Sequence, residues 1–230
     1  MKSFRTLYIL FLLLFAGNTL FSQEHSIGVK GGINLPFVNF TDFIIDANYN
    51  QHVFTTGYGA VTYRYMSSPL IGIQADLGIS QKGWGQSFIG EDEEVINTIL
   101  NTIDYLELPV YFRVNFFGEK KFNISINAGI YLSYALRTQR LALNFNEIEQ
   151  SVAIYDIEED NRGDFGLTIS GTVSYKFPFG EVQLEGGYRT GFANILLVSH
   201  ITKENPLVST NQVPFITLNY LIPFHKLGKD

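Results

Sequence analysis

The 230-residue sequence contains no cysteine, which excludes disulfides and thiolate metal centres. Charge is also scarce: Asp, Glu, Lys and Arg make up 17%, against roughly 25% in soluble domains. Long apolar runs are nearly missing as well, because mean hydropathy is only +0.08 although aromatic residues reach 15%. Apolar side chains must therefore be finely interleaved with polar ones, which argues against a helical bundle and for strands.

The exception is the N-terminus, where Met1-Lys2-Ser3-Phe4-Arg5 precedes an apolar run from Leu7 to Ala16 and then a polar stretch reaching Gln23. This reads as a cleaved signal peptide over residues 1–22, followed by one domain over 23–230. The run is shorter than the ~20 residues of a spanning helix. Cleavage would remove Lys2 and Arg5 and no acid, leaving 14 basic against 22 acidic residues, a net of −8. Such a surface disfavours a nucleic-acid partner.

From His25 onward apolar residues occupy every second position, the period of a strand. In 122–137, Phe122, Ile124, Ile126, Ala128, Ile130, Leu132, Tyr134 and Leu136 share one face. Asn123, Ser125, Asn127, Gly129, Tyr131, Ser133, Ala135 and Arg137 share the other. Eight such segments are predicted, near 26–35, 53–66, 70–82, 103–117, 122–137, 164–177, 181–192 and 212–224. Short turns at Ser67-Ser68-Pro69, Gly118–Lys121 and Pro178-Phe179-Gly180 alternate with long loops over 36–52, 83–102, 138–163 and 193–211. This asymmetry predicts an all-β, eight-stranded, antiparallel up-and-down transmembrane β-barrel in a bacterial outer membrane.

The polar face decides between lipid outside and a soluble barrel. It carries small neutral groups such as Gly166, Thr168, Ser170, Thr172 and Ser174, which suit a narrow lumen better than bulk water. Tyr63, Tyr65, Phe116, Phe117, Phe122, Tyr175, Phe177, Phe179, Tyr220 and Phe224 gather beside the short turns, as an interfacial aromatic girdle would. Hydrocarbon leaves no open sheet edge unpunished, so the first segment is expected to pair with the last.

Four segments carry a resemblance: Ser26–Asn34 (SIGVKGGIN), Tyr105–Val110 (YLELPV), Ala128–Ala135 (AGIYLSYA) and Asp164–Leu167 (DFGL). Together they resemble the PorT-like family of outer-membrane β-barrel proteins found in Bacteroidetes. The resemblance implies the barrel fold and the membrane. The founding member is tied to a protein-secretion system, but no motif in this chain carries that role over.

The inward face is expected to hold Lys30, Arg64, Asp76, Glu107, Arg113, Lys176, Glu185 and Arg189. An eight-stranded interior is just wide enough for side chains to fill, so these charges should neutralise one another in a network that pins register. The alternative is a small-solute path in which Arg64, Arg113 and Arg189 attract an anion. A third class is a rim-sited hydrolase, for which His52 and His200 in the long loops are the available bases, while His25 and His225 read as solvated terminal residues. Acidic Glu91–Glu94, before a 95–103 segment whose spacing suggests a short amphipathic helix, and Glu147, Glu149, Asp156, Glu158, Glu159 and Asp160 have no ordered calcium-ligand spacing. Glycines at 31, 32, 57, 59, 72, 78, 186 and 187 fit no phosphate loop and read as sites of strand bending. No cofactor or catalytic residue is indicated. The partners expected are outer-membrane lipid and a protein or small molecule at the external loops of a non-enzymatic scaffold.

Overall fold

The structure is a computed structural model that describes residues 23–41, 49–89, 95–117, 120–143, 155–197 and 208–227. The expected signal peptide lies outside them. Ten strands form one sheet: β1 (Gln23–Asn34), β2 (Phe37–Thr41), β3 (Tyr49–His52), β4 (Thr56–Met66), β5 (Ile71–Ile89), β6 (Val95–Asn115), β7 (Phe122–Leu143), β8 (Gly163–Phe177), β9 (Gly180–Gly191) and β10 (Val208–Leu227). Each of β4 to β9 pairs antiparallel with the next, and β1 pairs with both β4 and β10. The ring of eight strands is thereby closed. The alternating segments of the sequence are these eight strands, and β2 and β3 are short additions lying on β10 and β5.

The wall is apolar outside and polar inside. Val29, Ile130 and Leu218 are 61%, 56% and 58% exposed, and the same outward alternation runs through Ile124, Ile126, Leu132, Leu136, Leu167, Ile169 and Ile216. Inward positions such as Ser26, Thr62, Gln74, Ser125, Asn127, Thr172, Gln183 and Asn219 are buried. So many contiguous exposed apolar side chains far exceed the few hundred Å² that a soluble monomer tolerates. A closed ring leaves no unpaired edge to hydrocarbon, which makes lipid the surrounding that fits. The aromatic side chains named above lie at the short-turn end, where Phe177 stacks on Phe179 with ring centroids 5.4 Å apart.

Two expectations are corrected. Residues 83–89 and 95–102 are strand rather than loop, and Val95–Ile103 is not a helix: β5 and β6 run on as paired strands, with Gly83 opposite Thr102, Gly85 opposite Leu100 and Ser87 opposite Thr98. Val95, Ile96, Thr98, Ile99, Thr102 and Ile103 are β-branched and favour the extended chain, and β7 continues to Leu143 to pair the far edge of β6. At 19, 21 and 22 residues, β5, β6 and β7 exceed the ~9–11 residues that cross a bilayer. They therefore project beyond it at the long-loop end. Gly83, at φ +147°, opens this extension, and a Cβ there would strike the Asn101 carbonyl.

Candidate functional site

The lumen is organised around three buried charge centres. In the first, Lys30 on β1 sits 2.6 Å from Asp76 of β5 and 2.8 Å from Glu185 of β9. Gln74 donates to Asp76 and Ser170 to Glu185. Because these strands lie on different sides of the ring, one ammonium ties the wall together across its interior.

The second centre lies toward the long-loop end. Lys82 of β5 is 2.7 Å from Glu107 of β6 and 3.0 Å from Asp164 of β8. Its Nζ also faces the rings of Tyr105 and Tyr131 at 4.8 and 4.3 Å, an arrangement that adds cation–π attraction where water is excluded. Tyr131 and Asn211 both donate to Asp164 Oδ2. Arg189 of β9 shares Glu107 at 3.4 Å, and its guanidinium lies between Tyr58 and Phe215, 4.6 and 4.0 Å from the ring centroids.

The third centre is at the short-turn end, where Arg64 of β4 meets Glu181 of β9 at 2.6 Å and Glu24 of β1 at 3.7 Å. Gln183 donates to Glu181. Arg113 of β6 is bonded to Asn115 and Asn127, and Asn127 donates in turn to Ser170 and Thr172.

Of the eight side chains expected inside, Lys30, Arg64, Asp76, Glu107, Arg113, Glu185 and Arg189 are buried there. Lys176 is the exception. It stands half-exposed at the short-turn rim, 3.9 Å from Glu24, because it is two residues from the turn and its long stem carries the ammonium out to water. Sequence reasoning omitted three lumen charges, Lys82, Asp164 and Glu181. All three continue the inward alternation of their strands but stand at or near segment ends, where boundaries are least certain. Among the described residues the lumen thus holds five cations (Lys30, Arg64, Lys82, Arg113, Arg189) and five carboxylates (Asp76, Glu107, Asp164, Glu181, Glu185), while the sixth buried carboxylate, Asp104, is taken up instead by Gln81 and the exposed Arg137. The lumen's formal charges cancel.

Above the second centre the long-loop end is filled by an apolar plug. Val38 of β2, Trp84, Ile103, Tyr105, Ala135, Tyr155, Ile195 and Leu196 form one buried cluster, with Phe40 edge-on to Trp84 at 5.6 Å. The acidic residues of 156–160 hold the covering segments by backbone contacts: Asp160 accepts from the amides of Asp156 and Leu197, and Asp156 from that of Glu158. The Tyr155 phenol donates to the Asn161 carbonyl, and burial first, then the nearby Asp160 carboxylate, pushes its pKa up to about 12. It therefore stays a neutral donor at any physiological pH. Glu91–Glu94, Glu147 and Glu149 lie outside the described residues.

The histidines divide. The Nδ1 of His25 meets the Tyr63 hydroxyl at 2.7 Å and its ring packs near Tyr65 and Phe224, so it is part of the aromatic girdle rather than a solvated residue. His52 on β3 meets Ser87 Oγ through Nδ1 at 3.2 Å, and its Nε2 edge lies over Gly85. His200 and the side chain of His225 lie outside what the structure describes.

The model of the outer membrane protein beta-barrel domain family matches residues 21–197, well over half of the chain. A comparison with curated proteins finds no match. Similar solved structures include the outer membrane protein OprG of Pseudomonas aeruginosa, 11% identical with 90% of this chain and 99% of that one covered, at a TM-score of 0.48. Escherichia coli outer membrane protein W is 13% identical over 90% of this chain and 100% of that one, at 0.45. Ail, the attachment invasion locus protein of Yersinia pestis, is 10% identical over 86% and 99%, at 0.39.

Proposed function

The chain belongs to the family of outer membrane protein beta-barrel domains, and from that membership we propose that it is a non-enzymatic, closed scaffold of the cell outer membrane whose external loops bind a partner. In such barrels short turns face the periplasm and long loops face outward. The Ser67–Pro69 and Pro178–Gly180 turns, with the start of β1 and the end of β10, therefore lie at the periplasmic rim, and β2, β3 and the β5–β6 extension lie outside the cell.

One observation carries this reading: a charge-balanced lumen locked by bridges between non-adjacent strands, beneath an apolar plug. A conducting path needs polar groups that bind solute weakly enough to release it, whereas four of the five lumen cations are spent on carboxylates. We assign the chain to the PorT-like branch on the four segments quoted above.

The test is solute flux into liposomes that contain the folded protein. Swelling in small sugars and amino acids no faster than in protein-free vesicles is expected. Swelling that scales with protein content would overturn the closed scaffold in favour of a small-solute pore.

A further inference from the structure

The five lumen cations are unequally compensated. Lys30 and Lys82 each hold two carboxylates, Arg64 holds Glu181 and, more distantly, Glu24, and Arg189 shares Glu107. Arg113 alone among them has no carboxylate within 4.0 Å among the described residues. Arg113 is 1% exposed as a residue, and its guanidinium bonds go to two neutral amide oxygens, Asn115 Oδ1 at 2.9 Å and Asn127 Oδ1 at 3.2 Å. Nη2 has no hydrogen-bond partner there. The other charged groups whose fields reach it are Arg64, of like sign, and Glu181 and Glu185, which are already engaged by Arg64 and Lys30. Buried charge without a counter-charge is the arrangement that proteins avoid.

Further unpartnered donors stand on the same stretch of wall. Asn123, Ser125 and Asn127 are successive inward residues of β7; Asn127 pairs with Arg113 and Ser125 with Asn115 of β6, and Asn123 lies one step nearer the turn, accepting from the Phe117 amide. Asn123 Nδ2 and Ser125 Oγ, both buried, make no hydrogen bond. The short-turn end is the end of this stretch nearer to water: side-chain exposure rises from 3% at Arg64 and 5% at Glu181 to 23% at Glu24 and 36% at Lys176. The apolar plug closes the opposite end.

We propose that Arg113, with Asn123 and Ser125, forms a site for one small inorganic anion of halide size, entered from the periplasmic mouth. The narrow interior of an eight-stranded ring restricts the ligand to that size. The site is independent of the scaffold reading, because an anion held from one side carries no current.

The folded full-length protein, crystallised from detergent and soaked in bromide, tests this directly, together with thermal unfolding in chloride and in gluconate at equal ionic strength. The expected results are anomalous bromide density against the Arg113 guanidinium and a higher unfolding midpoint in chloride. The chloride effect should be lost in Arg113→Gln and kept in Arg113→Lys. Absence of bromide density at Arg113 would overturn the proposal, as would an undiminished chloride effect in Arg113→Gln. Density without any chloride effect in the unaltered protein would mark an adventitious ion only and overturn it too. If Arg113→Gln fails to fold, the bromide map and chloride effect of the unaltered protein decide.

Discussion

Ile126 and Glu107 stand on opposite faces of the wall, and a change at either should be costly for opposite reasons. Ile126→Arg places a guanidinium in hydrocarbon and should lower stability by about 2–4 kcal/mol near the midplane. Denaturant titration of the refolded barrel in vesicles checks this, and a neutral outcome would mean the outer face does not meet lipid. Glu107→Leu strips Arg189 of its carboxylate and leaves Lys82 with Asp164 alone. Removing one member of such a buried network should cost about 3–5 kcal/mol, and Arg189→Leu added to it should restore part of the loss. Gly83→Ala forces a Cβ against the Asn101 carbonyl at a positive φ, for about 1–3 kcal/mol by the same titration. Much of this inner face is legible in the sequence, because alternation assigns a side chain to a face. It does not assign height along the barrel axis. Lys30 and Glu107, in mid-segment, read directly as inward, whereas Lys176 and Glu181 flank one turn and differ in whether they reach water or stay inside. Arg113's lack of a carboxylate is invisible to alternation altogether, since it depends on which strands face each other across the ring.

At the scale of elements, the β5–β6 extension is where period and propensity disagree. Val95, Ile96, Ile99, Leu100 and Ile103 have helical spacing, and a short apolar run can be read either way. The β-branched content was the signal that could have decided it. The short β2 and β3 were beyond reach, since four or five residues on a neighbouring strand leave no period to count. Thr102 pairs with Gly83 in the projecting hairpin, so Thr102→Pro removes a ladder donor outside the membrane-crossing part. It should expose the 83–102 segment to protease while the barrel itself keeps its detergent-resistant form. Loss of the folded form in the same gel would show that the extension is needed for the ring.

At the scale of the whole molecule, the closed strand order, the lipid-facing apolar wall and the balanced lumen describe one object: a ring held from outside by lipid and from inside by ion pairs. The closing pair of β1 with β10 was legible because hydrocarbon forbids an edge, a rule that needs no detail of side-chain packing. The plug was not legible, because Val38, Trp84, Tyr155 and Ile195 come from four separate segments. A folded closed ring should migrate differently in detergent gels before and after boiling, with one boiled form only. Single-channel recording in planar bilayers bears most directly on the closed lumen. The unaltered protein should give a silent baseline, with openings only when bridges and plug are both weakened, as in Glu107→Ala with Trp84→Ala. Steady, reproducible conductance from the unaltered protein would contradict the closed lumen.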